Sequence, residues 1–483
     1  MPQICGVNRM FHFARQFMDF GPGARYCKSM ITLNNHWFAV ALCGIAHGAT
    51  AHAADFEKGI DAFNSRDYQT ALAEWLPLAK DGDLNAMYNV ALIYDEGLGV
   101  EEDNAAALKW YLPSARDGDV AAQFNVATIY DSGDGVAEND EQAIHWYMAA
   151  ARQADEQAQF NLGVMFGSGE GTPADARESI KWYLLSADQG HAAAQYNLGY
   201  IFDVGEGVPE DNAEALRWYR RAAEQGDDDA QYAIALLYDE GDGLPENDAE
   251  ALRWYVSAAE QQHIRAQFNL ALMYDLGEGT AEDNEAAMYW YAAAAEQGHA
   301  DAQQNLGVMF ENGEAMEADP ATALRWYRMA ADQGIAQAQY AVALILDNGN
   351  GVMEDNVAAI AWYTRAATQG DADAQNNLGA MYDAGEGTEE DDAEAVKWYL
   401  LAANQGNLIA QNNLGAMYYS DDAAEEHKIE AYKWFYIAEK LGSEAAGTNR
   451  VVSAKNMLLA DILEAKQQAR KWLQDFQNSA TTL

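Results

Sequence analysis

The chain has 483 residues, with 29 Lys and Arg against 76 Asp and Glu and a formal charge of −47. So acidic a surface repels phosphate backbones and anionic headgroups, which excludes nucleic acid as a natural partner and favours basic ones. Hydrophobic residues make up 49%, with 13 Trp, 26 Tyr and only 8 Pro, so the composition is that of a packed chain and not of a disordered one.

Residues 1–29 carry no folding pattern of their own. The apolar run from Trp37 to Ala46 is too short to span a bilayer. Arg25 and Lys28 precede it, and Ala51-His52-Ala53 follows it. This layout predicts a secretory signal cut after Ala53, a periplasmic or secreted chain, and no membrane insertion. Cys5, Cys27 and Cys43 all precede that cut, so the exported chain is expected to lack disulfides, thiol nucleophiles and cysteine metal sites. Leu42 stands before Cys43 where a lipid anchor needs a small residue.

Residues 54–83 read as a helical hairpin that caps the N-terminal end, built on Asp67, Tyr68, Ala71, Leu72 and Trp75. Pro77 and Pro113 fall inside predicted helices and are expected to kink them. From there Trp recurs at 110, 146, 182, 218, 254, 290, 326, 362, 398 and 434, always 36 residues apart. Tyr follows it in nine cases and Phe435 in the last. These intervals define ten repeats over 84–443.

Each repeat shows the 3.6-residue period twice. Ala230, Ile234, Leu237 and Tyr238 share one helix face; Ala251, Trp254, Tyr255, Ala258 and Ala259 share a second. Glycine pairs such as Gly205/Gly207 end the first helix. Asp or Asn stands seven residues before the Trp in nine repeats and predicts an N-cap, with Asp211–Glu214 and Asp391–Glu394 as capping boxes. The position nineteen before each Trp is always Gly or Ala, as in Gly199 and Ala235, which marks a tight helix crossing. The Trp and Tyr are expected to be core. The last repeat loses its glycine pair at Asp421. Residues 444–483 predict a C-terminal cap with helices over 444–458 and 462–476, the second capped by Asp461. Leu459, Ile462, Leu463, Ala469, Trp472, Leu473 and Phe476 are expected to cover the open end. Arg450, Lys455, Lys466, Arg470 and Lys471 make this cap basic.

These residues resemble the Sel1-like repeat family, relatives of tetratricopeptide repeats. One copy runs Ala192-Ala193-Ala194-Gln195-Tyr196-Asn197-Leu198-Gly199-Tyr200-Ile201-Phe202, then Gly205-Glu206-Gly207-Val208, and closes on Trp218-Tyr219 and Ala222-Ala223-Glu224-Gln225-Gly226. The resemblance implies an all-α, right-handed solenoid superhelix and a scaffold or adaptor role in protein complexes, in bacterial envelopes among other places. Some relatives carry a disulfide in each repeat and are described as β-lactamases; the cysteines for that are missing here.

If the first helices line a concave wall, one stripe faces the groove. It contains Tyr88, Phe124, Phe160, Tyr196, Tyr232, Phe268 and Tyr340, 22 residues before each Trp, and Asp95, Asp131, Asp203, Asp239, Asp275, Asp347 and Asp383, 15 before it. Rings beside carboxylates suit an extended basic or Arg-rich peptide; packing between helices is the alternative. Asn recurs 21 before the Trp in eight repeats and is expected to bond a neighbouring loop or hold a peptide backbone. His191, His263 and His299 are expected at the surface, in turns between repeats.

No nucleotide, zinc-protease, serine-hydrolase or paired-cysteine motif occurs. The loops at Asp131–Gly135 and Asp347–Gly351 resemble calcium loops with the glycine misplaced and the closing Glu missing. No catalytic residue, metal or cofactor is assigned. The function predicted is a monomeric protein- or peptide-binding scaffold; the alternatives are an envelope hydrolase of β-lactamase type or an acidic spacer.

Overall fold

The computed structural model describes residues 55–419 and 424–480, and every regular element among them is a helix. The export signal expected within 1–53 lies outside the described residues, as does Asp421. The chain divides into two compact units between Asn247 and Asp248. In the first, the hairpin Phe56–Asn64 and Tyr68–Lys80 precedes helix pairs such as Leu84–Asp95 with Asn104–Asp117 and Ala192–Val204 with Asn212–Ala223. In the second, pairs such as Ile264–Leu276 with Asn284–Glu296 lead to Leu408–Tyr418 with Glu425–Lys440. Within each unit, every repeat helix packs on the one before and the one after it. This is the layout of an α-solenoid, in which each module touches only its neighbours.

Short polar side chains start the helices. Asp103, Asn139 and Asp211 accept from the backbone N–H three residues on, at 2.9, 3.0 and 3.0 Å. The capping boxes are half-formed. The N–H of Asp211 bonds to the carbonyl of Phe202 at 2.8 Å, and Glu214 turns to Arg217 at 2.6 Å. Asp391 does the same with Tyr382, and Glu394 with Lys397. The cap N–H is thus already used to close the loop, leaving the glutamate nothing to reach for. Gly205 ends the first helix at φ 73°, a left-handed conformation that glycine adopts without strain. A Cβ on Gly207 would sit 2.3 Å from Cβ of Ala176 in the preceding repeat.

The two helices with an internal proline run on unbroken through Pro77 and Pro113. The carbonyls left without a donor belong to Ala73 and Lys109, which are exposed and open to water.

The core is small and aromatic. The Tyr that follows the Trp in nine repeats is among the largest buried side chains: Tyr111, Tyr255, Tyr291 and Tyr363 are 0% exposed. The Trp itself lies shallower, buried at Trp182 and Trp218 and half-buried at Trp110, Trp254, Trp290, Trp326 and Trp362. The Gly or Ala notch receives that Tyr ring within the repeat. A Cβ on Gly199 would stand 2.4 Å from Cδ1 of Tyr219.

The C-terminal cap differs from expectation. It forms Glu444–Ser453, a 3-10 turn at Ala454–Asn456 and one long helix Leu459–Ala480, so Asp461 lies inside the first turn and caps nothing. Ala469 is buried and Trp472 meets Trp434 edge-on at 5.9 Å. Leu459 and Leu463, expected to cover the end, are 72% and 59% exposed. The long helix packs on Glu425–Lys440, which turns those leucines outward.

Candidate functional site: the first-helix face

The two rows singled out from the sequence, rings and carboxylates, are for the most part drawn into packing within the repeats. The ring row is half-buried in both units, Tyr232 included. In the first unit Tyr88, Phe124, Phe160 and Tyr196 meet Tyr111, Tyr147, Tyr183 and Tyr219 at 5.4 to 5.8 Å. In the second, Phe268 and Tyr340 meet Tyr291 and Tyr363, both at 5.9 Å. These tilted contacts use part of each ring, and the rings keep some exposure.

The carboxylate row accepts hydrogen bonds from the same buried tyrosines. Tyr111 donates to Asp95 at 3.1 Å, Tyr147 to Asp131 at 3.3 Å and Tyr219 to Asp203 at 3.2 Å. Tyr291, Tyr363 and Tyr399 donate to Asp275, Asp347 and Asp383 at 3.2, 3.1 and 3.4 Å. Asp239 is half-buried at the equivalent position. Glu311 replaces Asp in one repeat and accepts from Tyr327 at 2.7 Å. These carboxylates are therefore anchored, and charge on this face is held in fixed places.

Burial raises several of them. Asp95 is pushed up to about 6, chiefly by desolvation and against the bond from Tyr111. Burial raises Asp275 and Asp347 too. Tyr88 is pushed up to about 12 by burial and the nearby Asp119. A carboxyl whose folded pKa exceeds its unfolded one favours the fold below the unfolded value, and that gain is lost as pH rises through the folded value. The Asp95→Asn variant keeps an acceptor for Tyr111 and removes the charge. It is expected to be more stable than the parent by about 1–2 kcal/mol at pH 7.5, after allowance for residual solvent, and to match it near pH 4. Urea melts of both proteins at the two pH values check this.

Two members of the asparagine row bond a tyrosine and not a loop. Asn377 donates to the hydroxyl of Tyr363 in the preceding repeat at 3.2 Å, and Asn269 to that of Tyr255 at 3.0 Å. One phenol thus gives its proton to Asp347 in its own repeat and accepts from the next.

The histidines are helix caps as well as turn residues. Nδ1 of His191, His263 and His299 accepts from the N–H of Ala194, Ala266 and Ala302 at 3.2, 3.1 and 3.3 Å. His191 stacks on Phe160 at 4.7 Å and His299 on Phe268 at 4.5 Å. Burial lowers the pKa of His191 and His299. For these two bases the stabilising contribution is full above the unfolded value of 6.5 and is lost as pH falls below it, opposite in sign to Asp95.

A fourth row was not assigned any role in the sequence. Gln stands 23 residues before the Trp in every repeat but the first, from Gln123 to Gln411. It is buried each time. Gln195 donates to the carbonyl of Ala187, at the end of the preceding second helix, at 3.0 Å, and accepts from Gln225 at 2.8 Å. Gln303 does the same with Ala295 and Gln333. The signal was present: Gln195, Leu198 and Gly199 fall at i, i+3 and i+4, so a polar side chain recurs on the core face.

Between rings and carboxylates runs an apolar row, eighteen before the Trp. Leu92, Val164, Tyr200 and Leu236 are half-buried in the first unit, as are Leu272 and Leu344 in the second, where Val308 reaches 36% exposure. A shallow depression adjoins it, lined by Glu311, Leu344, Ile345 and the 348–351 loop. Among the described residues no group of three or more His, Cys, Asp or Glu is placed to hold a metal ion. No helix among them is long and apolar enough to cross a membrane.

The family description "Sel1 repeat" matches ten consecutive segments: 84–119, 120–155, 156–191, 192–227, 228–263, 264–299, 300–335, 336–371, 372–407 and 408–443. The chain belongs to the Sel1 repeat family. Comparison with curated proteins gave no match. Among solved structures, this Sel1 repeat chain is similar to c5321, a protective antigen of uropathogenic Escherichia coli strains, at 31% identity over 85% of this chain and 96% of that one, with a TM-score of 0.61. A Sel1 repeat protein from Oxalobacter formigenes is 29% identical over 78% of this chain and 99% of that one, with a TM-score of 0.47. Sel1 repeats are typically modules of protein–protein interaction scaffolds.

Proposed function

We propose that this Sel1 repeat chain is an exported scaffold that holds a basic, extended peptide segment of a partner along its first-helix face. The observation that carries the proposal is the apolar row through Leu272, Val308 and Leu344. It stays partly exposed beside anchored carboxylates at Asp275, Glu311 and Asp347. Apolar side chains give such a peptide contact area, and fixed negative charges give it direction and speed of capture. The ring row contributes its accessible edges and not whole faces. Export rests on the Trp37–Ala53 pattern, and the description of the similar E. coli chain as a protective antigen supports it.

The test is fluorescence anisotropy with a labelled peptide of alternating Arg and Leu. Binding is expected to weaken as salt rises. The double variant Leu272→Arg with Val308→Arg is expected to reduce affinity by about tenfold or more, with helicity by circular dichroism unchanged. Equal affinity in parent and variant would remove the first-helix face from consideration. Capture from an envelope fraction followed by mass spectrometry then identifies the natural partner.

A further inference from the structure

The repeat register does not stop with the tenth repeat. Ser443 stands 36 residues after Asn407, and its Oγ accepts from the N–H of Ala446 at 3.3 Å, as Asn407 accepts from Ala410 at 2.9 Å. Ala446 is fully buried, like Ala410. Asn449 donates to Asn412 at 2.9 Å, just as Asn413 donates to Asn376 at 3.2 Å. Helix Glu444–Ser453 is therefore the first helix of an eleventh module.

Its second helix is missing from the expected place. In the tenth repeat Leu414 is buried, and a Cβ on Gly415 would meet the ring of Phe435 at 2.7 Å. The eleventh module has Arg450 and Val451 at these positions. Arg450 folds back onto Glu439 at 2.7 Å and onto the hydroxyl of Tyr432 at 3.0 Å. Val451 is 56% exposed. The long helix Leu459–Ala480 packs instead on Glu425–Lys440, and among the described residues no second helix packs over this half-module as in the ten repeats. Val452, Leu458, Leu459 and Leu463 are exposed as well, within thirteen residues of sequence. On the long helix Leu459, Leu463, Lys466 and Arg470 fall at i, i+4, i+7 and i+11, one stripe away from the packed Ala465, Ala469 and Trp472.

Charge decides what docks there. The chain as a whole carries 76 acidic against 29 basic residues and repels a second copy. Residues 444–483 carry four acidic and five basic ones, so the repulsion between two copies is least when they meet by this end. Glu444, Asp461 and Glu464 on one copy can face Lys455, Lys466 and Arg470 on the other. We propose that the open eleventh module is a self-association surface, where two copies meet by the same face about a two-fold axis. Each copy supplies the other with the apolar cover that the described residues of its own chain do not.

Sedimentation equilibrium of the chain over a wide concentration range tests this. The expected result is a reversible dimer that tightens with added salt, because screening weakens repulsion between the acidic bodies more than it weakens apolar contact. That is opposite to the salt response expected for the basic peptide. Leu459→Glu with Leu463→Glu is expected to weaken dimerisation by at least about tenfold, with circular dichroism and melting of the repeats unchanged since both side chains are exposed. Val451→Glu, on the other helix, is expected to act in the same direction. The Leu272→Arg, Val308→Arg variant should retain the dimer. A monomer at every concentration, or a dimer indifferent to all three glutamates, would overturn the proposal.

Discussion

Replacing Tyr219 by Ala is expected to lower the unfolding free energy by about 4 kcal/mol, near the upper end for loss of a buried aromatic side chain. The ring is 1% exposed, lies against Tyr196 at 5.6 Å and fills the notch made by Gly199. Its hydroxyl donates to Asp203 at 3.2 Å. Neighbouring helices cannot collapse into the void, because the same notch and ring recur in adjacent repeats and fix the spacing. The Tyr219→Phe variant separates the contributions. It keeps the ring and leaves Asp203 without this donor, for a loss of about 1 kcal/mol. Urea unfolding followed by circular dichroism measures both. A loss below about 1 kcal/mol for the Ala variant would mean that the helix crossing is held by other contacts.

How much of this was legible beforehand depended on what kind of information each feature carries. The 36-residue recurrence of Trp-Tyr and the Gly or Ala nineteen residues earlier are local in sequence and repeated, so helix pairs and their tight crossing followed directly. Which member of the Trp-Tyr pair lies deeper did not follow, because adjacent positions on a helix differ by 100° and only the position of the next helix decides between them. The aspartate row was visible as a row, but its bond to a tyrosine sixteen residues on depends on how the helices meet. The same is true of asparagine, whose partner is a tyrosine of the preceding repeat. The capping boxes failed for a similar reason: the cap N–H had a tertiary partner at Phe202 or Tyr382. At the C-terminal end, hydrophobic periodicity showed an amphipathic helix over 462–476, yet periodicity cannot say which neighbour that helix chooses.

The recurring glutamine carries the second large expectation, because it joins one repeat to the next. Gln195 is 2% exposed, donates to Ala187 and accepts from Gln225. Gln195→Glu puts a carboxylate oxygen where a donor is needed, against the Ala187 carbonyl, in a site whose partners Ala187 and Gln225 carry no charge. A buried charge without compensation costs about 3–5 kcal/mol at pH 7.5. Gln195→Leu, similar in size and uncharged, leaves Ala187 and Gln225 each one bond short and costs about 2 kcal/mol. The sign of the pH response distinguishes the two. The introduced Glu prefers its neutral form in the folded state, so its folded pKa is raised and the variant regains stability as pH falls, while the Leu variant does not. In a stack coupled only through neighbours, both losses fall on the junction between repeats 156–191 and 192–227. Unfolding should then broaden, with a smaller dependence on urea than the parent shows. Hydrogen exchange read repeat by repeat would place the weakened protection on either side of that junction; an even loss across the chain would contradict a local coupling role for the glutamine.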